Sequence, residues 1–131
     1  KDRSLAALKE YRKARSIAGT SVPMLQAKIG KMLMGLNRLK EAREALSAAV
    51  VVAPDYVLLP LLLGQVAALE DKHDEARLYF EQVLRLNPFD VDIHGLLANT
   101  YDKLGERALA KREREAQATL IRTLRAAGDP P

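Results

Sequence analysis

Few side chains here could do chemistry. The chain has two histidines, His73 and His94, four serines and no cysteine. Disulfides, thiolate metal sites and thiol nucleophiles are therefore excluded, while the redox compartment is left open. No serine sits in a Gly-x-Ser-x-Gly turn, so no hydroxyl nucleophile with its base can be read from the sequence. The densest set of metal-ligand types is "EDKHDE", residues 70–75, where Asp71, His73, Asp74 and Glu75 could offer oxygen and imidazole donors. A polar turn capping a helix that begins near Asp74 explains the same residues and is the reading adopted. His94 reads as a histidine packed at a helix contact. Gly30, Gly35, Gly64, Gly95 and Gly105 are scattered rather than gathered in one phosphate-cradling loop. The expectation is a chain with no catalytic residues, no metal site and no cofactor.

Basic clusters remain. Residues 1–22 hold six Lys or Arg against Asp2 and Glu10, and residues 107–127 hold six against Glu113 and Glu115, whereas residues 23–106 carry nine bases and twelve acids. The stretches "KEYRKAR" and "KREREAQ" could grip phosphates, but acids are mixed into both and only Tyr11 interleaves as a stacking group. Solvated helix faces account for them, which weighs against nucleic acid as a partner.

The elements that carry these residues follow from composition and period. Ala and Leu abound, aromatics are 5%, and β-branched residues are scattered apart from Val50 to Val52, so the class is all-α. Pro54 and Pro88 lie 34 residues apart, and residues 23–56, 57–90 and 91–124 align beneath one another without a gap. Gly30, Gly64 and Ala98 share a column, as do Ala42, Ala76 and Ala110. Leu46 and Phe80 share another, then Ala49 and Val83. In the third unit Arg114 and Gln117 replace the large and small apolar residues. The small columns suggest that Gly30, Gly64 and Ala98 face Ala42, Ala76 and Ala110, with Leu46 and Phe80 filling the space between neighbouring pairs.

A period of 34 with two helices per unit resembles the tetratricopeptide repeat over residues 23–124. The family's usual early aromatic is replaced by Gln26, Pro60 and His94. The resemblance implies a right-handed α-solenoid of helix-turn-helix repeats with about seven helices. Its expected units are 1–22, the second helix of a truncated leading repeat; 23–56 and 57–90, full repeats; and 91–131, a repeat with an extended capping helix and linker. In the first of these, Leu8, Tyr11, Ala14 and Ala18 share one face and Lys9, Lys13 and Ser16 the other, with a missing partner helix upstream of Lys1.

Against this frame "APDYVLLPLLLG", residues 53–64, is a repeat boundary followed by half a helix. Its uncharged run from Tyr56 to Leu69 is 14 residues, short of the roughly 20 needed to span a bilayer. Pro60 requires that this helix start late, near Leu58, or bend. Asp55, Asp90 and Ser21 are candidate helix caps. The last helix is expected from about Arg107 to Ala126, with Leu109, Ala116, Leu120, Ile121 and Leu124 as its apolar stripe.

Members of this family bind extended or helical peptides along a surface lined by the first helix of each pair. By that resemblance the partner-binding residues are Met24, Ala27, Lys31 and Met34, then Leu58, Leu61, Gln65 and Ala68, then Asp92, Gly95, Asn99 and Asp102. Some members clamp a partner's terminal carboxylates through two of these rows. Here the rows read Ala27, Leu61, Gly95 and Lys31, Gln65, Asn99, so only Lys31 and Asn99 fit and no clamp is expected. The groove should be apolar at the first two repeats and polar or acidic at the third. The function implied is a non-catalytic scaffold for a protein or peptide partner, unless the groove is filled by further segments of the same protein. The alternative is a structural or self-association domain of a larger enzyme or assembly machine, forming a homo-oligomer through Leu120 and Leu124.

Overall fold

The structure, a computed structural model, describes residues 5–10, 12–13 and 23–128. Residues 5–10 and 12–13 are helical, and six helices follow: α1 (Pro23–Gly35), α2 (Leu39–Val52), α3 (Leu58–Leu69), α4 (His73–Leu86), α5 (Val91–Lys103) and α6 (Arg107–Gly128). Among the described residues there is no strand. Each helix packs on the next along the chain, in pairs α1–α2, α3–α4 and α5–α6.

Helix ends keep the interval of the sequence. Gly35, Leu69 and Lys103 close the first helix of each pair, and Leu39, His73 and Arg107 open the second, each set in steps of 34. The cause is a turn repeated three times. Asn37, Asp71 and Gly105 have φ of 59°, 60° and 78°, the left-handed region that Gly, Asn and Asp tolerate best. Their N–H groups bond to Met34, Ala68 and Asp102 carbonyls. The following N–H groups of Arg38, Lys72 and Glu106 donate to Leu33, Ala67 and Tyr101 carbonyls at 2.8 Å each. This paired pattern satisfies carbonyls that a helix end otherwise leaves orphaned.

The second helices begin without a side-chain cap, at Arg38 and Lys72. The polar turn at residues 70–75 thus leads into a helix that starts at His73, but its acids do not cap it. Asp90 does cap α5, accepting from the Asp92 N–H at 2.9 Å. Asp55 does not: Val57 precedes α3 with no side-chain bond. Ser21, Tyr11, Ala14, Ser16 and Ala18 lie outside the described residues. Pro60 is the third residue of α3, where its missing N–H is one the first turn would leave unbonded anyway. The late start at Leu58 accommodates it.

Packing within each pair differs from the small-against-small expectation. A β-carbon on Gly30 would lie 2.5 Å from Leu46 Cδ2, and one on Gly64 2.5 Å from Phe80 Cε1. Leu46 and Phe80 therefore lie inside their own pairs, on the glycines, rather than only between pairs. In the third pair Ala98 needs no such opening, because Arg114 occupies the equivalent place on α6 and turns out to Asp102 and Asn99. Two apolar cores result, one from Leu8 to Val66 and one from Ala67 to Ala110, meeting along α3.

Polar contacts cross the junctions between pairs. Arg43 of α2 donates to Glu70 and Glu75, at the turn between α3 and α4. Arg77 stands in the same place on α4, but Leu104 and Leu109 stand where Glu70 and Glu75 would be. Its buried Nε has no hydrogen-bond partner among the described residues. The second junction is bridged instead by the Tyr101 O–H, which donates to Glu81 at 2.9 Å.

Candidate functional site

The first helices of the pairs, α1, α3 and α5, carry all twelve residues expected to line a groove. Two cavities open along them. One of about 630 Å³ lies between α1 and α3 and includes Met24, Ala27, Lys31, Leu58, Leu61 and Gln65. The second, of about 450 Å³, lies between α3 and α5 and includes Met34, Gln65, Ala68 and Asn99. Gln65 belongs to both, so the cavities adjoin across α3. Met24 is 55% exposed and Leu58 41%, apolar side chains of the first cavity left open to solvent, while Ala27 is buried in its floor.

Three expected residues, all of the third repeat, line neither cavity, and among them are both of the expected acids. Asp102 accepts from Arg114 of α6. Gly95 is covered by Gln117, which donates to the Val91 carbonyl at 3.1 Å and whose Nε2 lies 2.9 Å from where a β-carbon would be. Asp92 is exposed, with its backbone N–H held by Asp90. An arginine and a glutamine at the apolar columns of α6 thus withdraw Asp102 and Gly95 from the groove.

Two rows of lining residues went unread although the same interval marks them. Lys28, Leu62 and Leu96 form one, and Gly35, Leu69 and Lys103 the other, each in steps of 34. Their charge matters. The lining residues of the two cavities include Lys28, Lys31, Lys103 and His73 and no acid. Neither Lys31 nor Lys103 makes an ion pair among the described residues.

The remaining ionisable groups serve packing. His94 is buried at the contact of α5 with α6, its Nδ1 3.3 Å from Glu113 and its Nε2 3.4 Å from the Pro88 carbonyl. Burial first, then the bond to Glu81, pushes the Tyr101 phenol up to about 12. Among the described residues no group of three or more His, Asp or Glu side chains could hold a metal ion. No described helix is long and apolar enough to cross a membrane.

The family profile described as "Tetratricopeptide repeat" matches residues 28–91 and 61–110, more than half of the chain. The chain belongs to the tetratricopeptide repeat family. Proteins of this family are typically non-catalytic and commonly act as protein-interaction modules. Among solved structures, a crystal structure of MamA superposes with a TM-score of 0.85 at 18% identity, over 92% of this chain and 70% of that one. MamA from Desulfovibrio magneticus RS-1, residue 41 to its end, gives 0.85 at 18% identity over 93% and 68%. YrrB, described as a TPR protein with an unusual peptide-binding site, gives 0.79 at 24% identity over 91% and 61%. At these identities the likeness is one of fold. No curated protein matches the chain in sequence.

Proposed function

We propose that this tetratricopeptide repeat chain is a non-catalytic scaffold that recruits a polypeptide segment of a partner protein across α1, α3 and α5. The observation that carries the reading is the 630 Å³ cavity between α1 and α3, whose apolar wall includes Met24, Leu58 and Leu61 and stands open to solvent. Methionine adds deformable surface suited to an apolar helix face or strand. The family's common role and the peptide-binding site ascribed to YrrB point the same way. Nucleic acid fits less well, because the lining offers no aromatic platform besides the buried Phe80.

Selection of displayed random peptides on the immobilised protein tests this. Selected peptides should lose binding to Leu58→Glu and Leu61→Glu, each of which sets a charge where apolar surface must be desolvated. Peptides that bind these folded variants with unchanged affinity would place the site elsewhere.

A second reading, self-association, is favoured by the far end of the stack. Phe89, 71% exposed, and Leu124, 48% exposed, flank a cavity of about 620 Å³ with Leu120. Light scattering over a concentration series should then show dimers that Leu120→Lys with Leu124→Lys abolishes. Monomers throughout would dismiss it.

A further inference from the structure

Among the described residues the ionisable side chains that line the groove are all basic. Lys28, Lys31, Lys103 and His73 are the ionisable residues lining the two cavities, and no carboxylate joins them. Of the acids on the same helices or their turns, Asp102 is engaged with Arg114 and Glu70 with Arg43, and Asp92 is exposed and lines neither cavity. Asp71 lies 3.6 Å from His73 but is 93% exposed at the turn. The apolar part of the lining, Met24, Leu58, Leu61, Leu62 and Leu96, shares the two cavities with the ammonium groups of Lys31 on α1 and Lys103 on α5, which make no ion pair among the described residues.

Resting on the scaffold reading above, we propose that the occupant is an acidic amphipathic segment internal to a partner polypeptide. Its apolar side lies on the leucines and Met24, and its carboxylates reach Lys31 and Lys103. A terminal carboxylate is not what this groove is built for, since Ala27, Leu61 and Gly95 supply no donor in the row where a clamp would need one. Neighbouring packed helices lie about 10 Å apart, so α1 to α5 is on the order of 20 Å. A helix of about 14 residues, or an extended strand of about 6, covers that distance. Each solvent-exposed ammonium–carboxylate pair is worth up to severalfold in affinity and two together about tenfold, with screening by salt.

The test uses synthetic fluorescent helical peptides of about 14 residues, acetylated and amidated so that no terminal charge remains. All share one leucine face and carry Glu, Gln or Lys on the other. Fluorescence anisotropy at low ionic strength should rank Glu over Gln by about tenfold and Gln over Lys, with the gap closing as salt is added. The double variant Lys31→Glu with Lys103→Glu should reverse the ranking. The control Lys111→Glu with Arg125→Glu, on α6 and outside both cavities, makes the same change of net charge and should keep it. Circular dichroism checks that each variant is folded. Equal affinity for the Glu and Gln peptides, both lost in Leu61→Glu, would overturn the charge preference and leave the groove reading standing. Binding by none of the peptides would overturn both. An equal response to the groove and control variants would reduce the preference to net charge and overturn it as well.

Discussion

Phe80 occupies the space that a side chain on Gly64 would need, its Cε1 2.5 Å from the position of a β-carbon there. The ring belongs to α4 and the glycine to α3, so this contact sets how closely the central pair can approach. Gly64→Ala should destabilise the fold by about 1–3 kcal/mol, the cost of overpacking a filled core, despite the better helix propensity of alanine. Replacing the buried Ala98 by Gly, at the same column of the third pair, should cost about 1–1.5 kcal/mol, helix propensity plus one buried methyl. Urea denaturation of the two variants checks the order, and a smaller loss in Gly64→Ala than in Ala98→Gly would refute it.

Gly95 makes the opposite case. The atoms nearest to its would-be β-carbon are those of the Gln117 amide, the far end of a long side chain. Gly95→Ala sets a gain of about 1 kcal/mol in propensity against the loss of about one hydrogen bond to the Val91 carbonyl. The change in unfolding free energy is expected to stay within about 1 kcal/mol.

Arg43 and Arg114 both join helices through carboxylates, with different surroundings. Arg43 is 21% exposed and bound by Glu70 and Glu75, whereas Arg114 and Asp102 are 49% and 42% exposed. Arg43→Ala leaves Glu75 unpaired and Glu70 with only the longer contact to Lys72 at 3.9 Å, and should cost about 1–3 kcal/mol. The exposed pair should cost at most about 1 kcal/mol when Arg114 becomes Ala. Thermal melts of both variants test the difference.

Alkali should unfold the chain partly through one phenol. Tyr101 is raised from 10.0 to about 12, chiefly by burial and then by its bond to Glu81. Below pH 10 both folded and unfolded states keep the proton, and this stabilisation is complete. Between pH 10 and about 12 the unfolded chain ionises first, so stability falls as pH rises through that window. Tyr101→Phe should flatten this part of the profile in pH-dependent denaturation. An unchanged slope would show that Tyr101 is not its source.

The repeat was readable because prolines and small residues mark the same columns in each unit, and Pro60 located the start of α3 by what it forbids. Of the three turns only the polar one at residues 70–75 was read, because Asn37, Asp71 and Gly105 are three residue types meeting one backbone demand. Nor did the columns tell which way small residues look: Gly30 and Gly64 receive Leu46 and Phe80, a match of small with large that side-chain direction decides. In the groove, nine of the twelve expected residues line the two cavities. Gly95 and Asp102 do not, because Gln117 and Arg114 on α6 reach back to α5, and Asp92 stands exposed outside both. A charged residue at an apolar column can swing to whatever acid lies in range, and column position does not encode that.

The two joints of this rod are fastened differently. Opposite charges clasp the first, Arg43 against Glu70 and Glu75, while a phenol proton shared with Glu81 and plain oily contact hold the second. Base therefore loosens the second joint, whereas the partly buried pairs of the first are screened only weakly by added electrolyte, so alkali selects where the stack gives way.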